Sequence, residues 1–392
     1  MADSDPNFPQ NLSIAPSNRA TVRLGSLGEW YQNDSDDDAS QDIETFGIAG
    51  RTWEAAYILR HYLTPPAYSS PPPIFDPPCP LYPPPPDSPV SLLPPSASPS
   101  NPSKKRRTIL EIGSGTGFLS LALAPHLGSN DTLVLTDLEN VCPLLDKNVE
   151  TARSRWRHRG VFAACTSYAK SPEEGSEPAF AEPTVLVRPL PWGSLPHLQA
   201  LSADSILPDL ILASDLIYFP FLYPPLLRSL IGLTQPRRTP EDADARKPGS
   251  HCEEQAAEDG IKIVFSYKVR SLAKETPFWE AFGRWFHFTP VYLGSPVSLS
   301  PSSSPSSSPS STPPSLTWSR FGTQTPSSDK PDDTDELYIF ICTRWSSTMD
   351  VSVEALDEIG DGELLQGTGR AKGHEEGAGQ WEEMLLLGAG LE

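Results

Sequence analysis

Residues 108–117 read Thr-Ile-Leu-Glu-Ile-Gly-Ser-Gly-Thr-Gly, and this stretch decides the fold. Its first half predicts a short buried strand, and residues 118–127 predict a helix directly after it. Gly113, Gly115 and Gly117 let the backbone turn sharply and approach a ligand with no Cβ in the way. The unpaired N–H groups at the start of the helix then point at that ligand. The stretch therefore predicts a bed for a nucleotide-like cofactor.

The spacing of the glycines and of two carboxylates narrows the choice of cofactor. A dinucleotide fingerprint has the pattern G-x-G-x-x-G, whereas this chain has G-x-G-x-G, with Phe118 in place of the third dinucleotide glycine. Glu111 lies two residues before Gly113, and Asp137 ends the next predicted strand, about where an acidic residue takes a ribose hydroxyl pair. This spacing resembles the S-adenosylmethionine site of class I methyltransferases. A nicotinamide or flavin enzyme and a purely structural strand–helix turn remain as alternatives.

The charge of the 392-residue chain is concentrated at its ends. The net charge is −20, of which residues 1–45 carry −7 and residues 346–392 carry −9, so residues 46–345 carry only −4. Because phosphate binding needs a basic face, this distribution argues against nucleic acid as the main partner. The one basic cluster, residues 104–107, is interpreted as a solvated linker end, with a nuclear targeting signal as the alternative.

The cysteines and the apolar runs indicate in which cellular compartment we expect the chain to work. Five cysteines are scattered without a C-x-x-C motif or a nearby histidine pair, which predicts no zinc site and no disulfide framework. No run approaches the roughly 18 apolar residues of a membrane span, and no apolar N-terminal stretch predicts secretion. We therefore expect a cytoplasmic monomer with no metal and no membrane partner.

Forty-five prolines argue against a chain that is folded throughout. Tracts rich in Pro, Ser or charged residues cannot bury enough apolar surface to offset their ordering entropy, and we expect them to be disordered insertions. They cover about residues 65–103, 236–259 and 295–315. One domain, residues 46–345, is therefore predicted, between an acidic and partly disordered N-terminal segment (1–45) and an acidic C-terminal tail (346–392).

Outside those tracts, predicted strands and helices alternate along the chain. The strands are predicted at residues 109–112, 133–135, 185–190, 209–213, 261–267, 291–293 and 336–344. The helices are predicted at residues 53–63, 118–127, 141–158, 222–233 and 278–286. Such alternation predicts an α/β fold in which helices cover both faces of a largely parallel sheet, with ligands at the carboxyl ends of the strands.

Four further segments join the glycine turn in a family resemblance. They are Gly-Ile-Ala-Gly-Arg-Thr-Trp-Glu-Ala-Ala-Tyr (47–57), Thr-Asp-Leu-Glu-Asn-Val-Cys-Pro-Leu-Leu-Asp-Lys-Asn-Val-Glu (136–150), Pro-Leu-Pro-Trp-Gly (189–193) and Ser-Asp-Leu-Ile-Tyr (214–218). The chain thus resembles the seven-strand protein-lysine methyltransferases of the methyltransferase-21-like group. Residues 263–278 are most similar to the fungal elongation-factor branch. The resemblance covers most of residues 46–345, and it implies a class I, Rossmann-like sheet of seven strands that ends in an antiparallel hairpin.

The resemblance also implies roles for eight residues. The implied cofactor-binding residues are Trp53, Glu111, Gly113, Gly115, Asp137 and Trp192. Asp215 and Tyr218, from the Asp-x-x-Tyr motif, are implied to border the target lysine and are our catalytic candidates. Pro191 departs from the family, which usually has an acidic or polar residue before Trp-Gly. Structural alternatives stay open, namely a helix cap for Asp215 and core packing for the aromatic residues.

The activity implied by the resemblance is S-adenosylmethionine-dependent N-methylation of lysine in a protein substrate, with a translation elongation factor as the candidate. One alternative is a methyltransferase that acts on a protein histidine, a protein N-terminus or a small amine. Another is a non-catalytic binding module on the same fold. The intact Gly113, Gly115 and Asp137 argue against that last alternative.

Overall fold

The computed structural model describes residues 7–9, 13–17, 39–64, 73–82, 106–162, 182–236, 260–296, 316–322 and 336–388. The strands are β1 (Ile74–Asp76), β2 (Thr108–Ile112), β3 (Thr132–Asp137), β4 (Thr184–Pro189), β5 (Leu210–Ser214), β6 (Lys262–Lys268), β7 (Phe286–Pro290), β8 (Tyr292–Pro296), β9 (Leu316–Arg320) and β10 (Leu337–Arg344). The helices are α1 (Ile43–Phe46), α2 (Glu54–Leu63), α3 (Phe118–Leu123), α4 (Cys142–Arg159), α5 (Leu195–Ala203), α6 (Tyr223–Leu233), α7 (Leu272–Trp285), α8 (Val353–Glu358), α9 (Asp361–Gln366) and α10 (Gln380–Gly388).

A seven-stranded sheet with the order β4-β3-β2-β5-β6-β10-β7 forms the centre of the molecule. Strands β2 to β6 pair in parallel, and β10 runs antiparallel between β6 and β7. This is the strand order of class I methyltransferases, so the predicted α/β fold is confirmed. The parallel pairing brings the carboxyl ends of β2, β3 and β5 to one edge of the sheet.

Helices cover both faces of this sheet, and β2 shows why its sequence is a continuous apolar run. Leu110 and Ile112 face one core together with α5, α6 and α7, whereas Ile109 faces the other with α2, α3 and α4. All three side chains are fully buried. Because successive side chains of a strand point to opposite faces, a strand that is covered on both sides needs apolar residues at every position.

Several elements differ from the predicted ones. Helix α7 begins at Leu272 instead of residue 278, and Phe286 opens strand β7 instead of ending the helix. The aromatic residues 278, 282 and 286 recur every four residues, so the helical period continues past the true helix end. Helix α5 was not predicted. No helix within the described ranges is long and apolar enough to span a membrane.

The expectation that residues 65–103 form a disordered insertion is wrong for residues 73–82. Strand β1 pairs antiparallel with β8, which pairs with β9, so a small second sheet forms. The Phe75 ring packs between Tyr62 and Phe321, with centroids 5.1 and 4.9 Å away. The rest of this tract, residues 237–259 and residues 297–315 lie outside the described part of the chain, as do most of residues 1–38.

The expectation that residues 346–392 form an acidic tail outside the domain is wrong for residues 346–388, which we call the C-terminal cap. Trp381 is fully buried and stacks on Trp279, with ring centroids 5.0 Å apart. The Gln380 amide lies against strand β7, where it accepts from the Phe288 N–H (3.1 Å) and donates to the Phe286 carbonyl (3.1 Å). Although the net charge of this segment is negative, a few of its apolar residues pack into the core on one face of the sheet.

Candidate functional site

A cleft with about 600 Å³ of open volume lies at the carboxyl ends of β2, β3 and β5. All eight residues singled out in the sequence line it, namely Trp53, Glu111, Gly113, Gly115, Asp137, Trp192, Asp215 and Tyr218. Asn7, from the N-terminal segment, also contributes to the lining. The structure thus brings residues from distant parts of the chain to the edge of the sheet where a parallel fold places its ligands.

The glycine turn needs its glycines for two separate reasons. Gly113 and Gly115 have φ angles of +64° and +53°, which residues with a Cβ rarely adopt. In addition, a Cβ on Gly113 would lie 2.7 Å from the Leu216 side chain, and a Cβ on Gly115 would lie 3.0 Å from the Ala49 carbonyl oxygen. A side chain at either position would therefore collide with a neighbouring part of the protein, so the turn requires glycine.

Asp137, the last residue of β3, is a buried carboxylate held by the backbone. Its Oδ2 accepts from the Gly115 N–H (2.7 Å), and its Oδ1 accepts from the Leu138 N–H (2.8 Å). Burial raises the pKa of Asp137 to about 6, although both N–H groups favour the charged form. Each carboxylate oxygen has further acceptor capacity, so the pair can receive two hydroxyl donors such as those of a ribose.

Glu111 lies beneath the glycine turn and is 3% exposed. Its carboxylate accepts from the Ser120 N–H (3.2 Å) and from the Ser120 hydroxyl, near the start of α3. Burial raises the pKa of Glu111 to about 7, against the effect of the Ser120 hydrogen bonds. The residue therefore lines the cleft while its carboxylate anchors α3 to β2.

Two tryptophans, Trp53 and Trp192, line the cleft. Trp53, just before α2, donates from Nε1 to the Ile48 carbonyl (3.1 Å), and its ring lies between the guanidinium groups of Arg51 (4.2 Å) and Arg270 (5.3 Å). Trp192, which follows β4 and Pro191, packs its ring 6.2 Å from that of Tyr218. Both rings are partly exposed and can offer a face to a ligand.

Asp215 follows β5, and its side chain is fully buried. Arg270 donates to it with both terminal nitrogens, from Nη1 to Oδ1 (2.7 Å) and from Nη2 to Oδ2 (2.5 Å). Asp215 has a φ of +60°, a conformation that Asp tolerates better than most residues. The structure therefore places this carboxylate in the cleft wall, but as one half of an ion pair.

Sequence reasoning missed the partners of that ion pair. Arg270 Nη2 lies 3.8 Å from Glu54 Oε2, and Glu54 Oε1 pairs in turn with Arg51 Nη2 at 2.5 Å. Arg51 and Glu54 lie on either side of Trp53 in the segment 47–57 that carried the resemblance, and Arg270 lies within the segment 263–278. The position of these charged residues in the segments of the resemblance was the available signal for a role at the site.

Tyr218 lines the cleft and is partly exposed. Its ring packs against Phe219 at 5.0 Å. Burial, together with the negative charges of Asp137 and Asp215, raises the pKa of Tyr218 above its ordinary value. Its hydroxyl therefore stays protonated at neutral pH and can act as a hydrogen-bond donor toward the cleft.

Comparison with known proteins adds to this geometry. Residues 32–164 match a family described as lysine methyltransferase. A yeast protein from Saccharomyces cerevisiae, protein-lysine N-methyltransferase EFM6, is 28% identical over 144 residues, which is 34% of this chain and 47% of the yeast protein. The chain therefore matches about half the length of that relative.

Two solved methyltransferases resemble the chain only partially. The CurJ carbon methyltransferase is 12% identical, with a TM-score of 0.29. The match covers 66% of this chain and 51% of the CurJ methyltransferase chain. The precorrin-6y C5,15-methyltransferase of Geobacter metallireducens is 11% identical, with a TM-score of 0.24. The match covers 62% of this chain and 81% of that methyltransferase chain. The strand order of the sheet, and not these superpositions, defines the fold.

Fold and glycine turn together define the class of protein, a class I methyltransferase fold with a site that fits S-adenosylmethionine. The family that matches residues 32–164 is described as lysine methyltransferase, and the yeast relative is a protein-lysine N-methyltransferase. The resemblance to protein-lysine methyltransferases stated from the sequence is thereby confirmed.

Proposed function

We propose that this chain is an S-adenosylmethionine-dependent protein-lysine N-methyltransferase. The observation that carries the proposal is the cleft at the carboxyl edge of the sheet, which is lined by the glycine turn and Asp137, here called the cofactor wall, and by Asp215 and Tyr218, here called the lysine wall. The lysine methyltransferase family matches the segment that contains the cofactor wall, and the name of the yeast relative supports the same reaction.

The wall made by the glycine turn and Asp137 would hold the cofactor. Gly113 and Gly115 line the cleft without side chains, so a ligand can approach their backbone, and Asp137 can accept from the two ribose hydroxyls. Trp192 would pack against the adenine, and Trp53 would lie beside the cofactor. When bound, S-adenosylmethionine supplies an activated methyl group, so the protein's own task is to align a neutral amine.

The lysine must lose its proton before it can react. A free lysine has a pKa of about 10.4, so only about one molecule in a thousand is neutral near pH 7.4. The aromatic lining by Trp53, Trp192 and Tyr218 excludes water and disfavours the ammonium. We propose that the proton leaves to water and that the Tyr218 hydroxyl and ring then orient the amine.

Asp215 was expected to bind the incoming ammonium directly. Its carboxylate is already held on both oxygens by Arg270, so we propose instead that it shapes the lysine edge of the cleft through that pair. Asp215 then contributes to recognition while its own charge is compensated.

The protein substrate is proposed on the resemblance alone. The chain resembles the fungal elongation-factor branch, so a translation elongation factor is the first candidate, modified in the cytoplasm by a monomeric enzyme. The catalytic unit would comprise the predicted domain together with the C-terminal cap, since apolar residues of the cap are part of the core on one face of the sheet.

The test is methylation of a cell lysate with isotope-labelled S-adenosylmethionine, followed by mapping of the labelled residue by mass spectrometry. Label on a lysine side chain is expected, and an Asp137→Ala preparation serves as the control without cofactor. Label on a histidine or a protein N-terminus would replace the lysine assignment. Cofactor binding without any labelled protein would favour a binding module.

A further inference from the structure

A further inference concerns Arg270. This inference rests on the proposed function. Its guanidinium forms a two-point fork with the buried Asp215 carboxylate, and 31% of its own side chain remains exposed. It lies in the loop after β6 and contacts Asp215, which follows β5 and lines the cleft. We propose that Arg270 is a positioning residue that cancels the charge of Asp215, so that the cleft receives the lysine as a neutral amine.

The surroundings of Arg270 fix it in this place. Its Nη1 also donates to the Lys268 carbonyl (3.2 Å), and its backbone N–H donates to Glu275 Oε2 (3.1 Å). Its guanidinium lies 5.3 Å from the Trp53 ring and 3.8 Å from the Glu54 carboxylate. A planar fork that is held at several points gives one defined geometry, which a flexible ammonium would not give.

The charge of Asp215 matters because of its effect on the substrate. A carboxylate within about 4–6 Å of an ammonium favours the charged form and raises the pKa of the amine, by about one to three units. An unpaired Asp215 would therefore hold the lysine as an ammonium, which has no lone pair for the methyl group. Paired with Arg270, the carboxylate no longer has this effect.

Arg270 stays charged throughout the working range of pH. Burial lowers the pKa of Arg270, but Asp215, Glu54 and Glu275 together raise it above the ordinary value for arginine. The pair with Asp215 therefore remains intact while the lysine titrates. This is what a constant neutralising partner requires.

The other charges around Arg270 are balanced by partners of their own. Glu54 pairs with Arg51, and Glu275 accepts from the Tyr267 hydroxyl and from the Ser271 N–H (3.0 Å). In the cofactor wall, Asp137 accepts from two backbone N–H groups. Removing the Arg270 charge therefore exposes mainly the charge of Asp215.

The experiment measures the pH dependence of methylation for wild type, Arg270→Gln, Asp215→Asn and the double variant. Arg270→Gln should shift the profile to higher pH by about one unit or more and cut the rate near neutral pH by about tenfold, since each unit changes the neutral fraction tenfold. Asp215→Asn should shift the profile the other way, because Arg270 then acts alone on the amine. The double variant should return toward the wild-type profile, whatever its absolute rate.

Three controls separate this role from a structural one. Arg270→Lys keeps the charge, so the profile should stay in place even if the rate falls. Arg370→Gln removes an exposed arginine that pairs with Glu358 at 2.8 Å, and should change nothing. Calorimetric titration with S-adenosylmethionine should give the same affinity in all variants within about twofold, which shows that the fold and the cofactor wall are intact.

The outcomes distinguish this inference from the proposed function. If wild type methylates lysine and the Arg270→Gln rate falls equally at every pH, Arg270 only supports the fold and the inference is wrong. An Asp215→Asn profile unchanged from wild type would overturn it as well, without any Arg270 variant. If wild type does not methylate lysine, the proposed function itself fails, and the inference falls with it.

Discussion

The two walls of the cleft differ in how far apart their residues lie in the sequence. The cofactor wall comes from one continuous strand–turn–helix–strand unit, in which Gly115 and Asp137 are 22 positions apart. Asn148 closes the same unit by donating to the Thr116 carbonyl (2.8 Å). The lysine wall joins Asp215 to Arg270, 55 positions away, and to Glu54 near the start of the chain. Spacing in the sequence can therefore predict the first wall, but not the pairings of the second.

The walls also differ in the forces that hold them. Asp137 is held by backbone N–H groups, which any sequence with this turn supplies. Asp215 is held mainly by one arginine side chain from a distant loop, and in addition by a longer bond from the Lys268 N–H (3.4 Å). Breaking one buried partner of such a pair leaves the other uncompensated, which is costly. We therefore expect a substitution in the lysine wall to reduce mainly turnover, and a substitution in the cofactor wall to weaken mainly cofactor binding.

Asp137→Ala should have the largest effect. Two charge-assisted hydrogen bonds to a ribose are worth about 1.5–3 kcal/mol each, so their loss should weaken S-adenosylmethionine binding by about a hundredfold or more. Calorimetric titration measures this directly, with Asp137→Asn as the variant of matched shape. NAD should not bind to wild type. Unchanged affinity in the Ala variant would show that the cofactor wall is assigned wrongly.

Asp215→Ala should act on the other wall. We expect cofactor affinity within a few fold of wild type and methylation slower by about a hundredfold, because Arg270 loses its partner and the amine loses its alignment. The measurement is cofactor binding and turnover on the same preparation. Because Asp215 has a φ of +60°, Asp215→Asn is the better control for backbone strain. Parallel loss of binding and turnover would place Asp215 in the fold or on the cofactor side.

The same contrast explains which features of the fold and the site could be predicted from the sequence and which could not. The strands β2 and β3, the glycine turn and Asp137 were predictable because strand period, glycine φ and spacing are local properties. Arg270 was not, since nothing along the chain indicates which carboxylate an arginine after β6 will meet. The C-terminal cap was missed because acidic residues dominate its composition, while Trp381 and a few apolar residues decide its packing.

A substitution in the C-terminal cap tests whether the cap stabilises the domain that carries both walls. Trp381→Ala removes a fully buried ring that stacks on Trp279 of α7, the helix that follows Arg270. The expected loss is about 3–5 kcal/mol in the free energy of unfolding, as for other buried aromatic truncations. Denaturant unfolding measures it, and Leu386→Ala is the matched control because Leu386 is 74% exposed. A loss below about 1 kcal/mol would mean that the cap does not stabilise the domain.

The smallest expected effect is the response of the cofactor wall to pH. Burial raises the pKa of Asp137 to about 6 and that of Glu111 to about 7, both above the ordinary range for carboxyl groups. Protonation of Asp137 removes acceptor capacity that the ribose needs, so cofactor affinity should fall as the pH drops through about 6. Calorimetry should show a decrease of several fold, and Asp137→Asn should flatten the profile.

Stability should move in the opposite direction over the same range. A carboxyl whose pKa is raised by folding binds more protons in the folded than in the unfolded state, so its contribution to stability grows as the pH falls from about 7 toward about 4.5. Thermal unfolding of the cofactor-free protein should therefore show a smaller gain at low pH in Glu111→Gln than in wild type. Cofactor affinity in that variant should keep its pH dependence, since Glu111 binds Ser120 rather than the ribose site. If Glu111→Gln flattens the affinity profile and Asp137→Asn does not, Glu111 is the carboxylate that the cofactor senses.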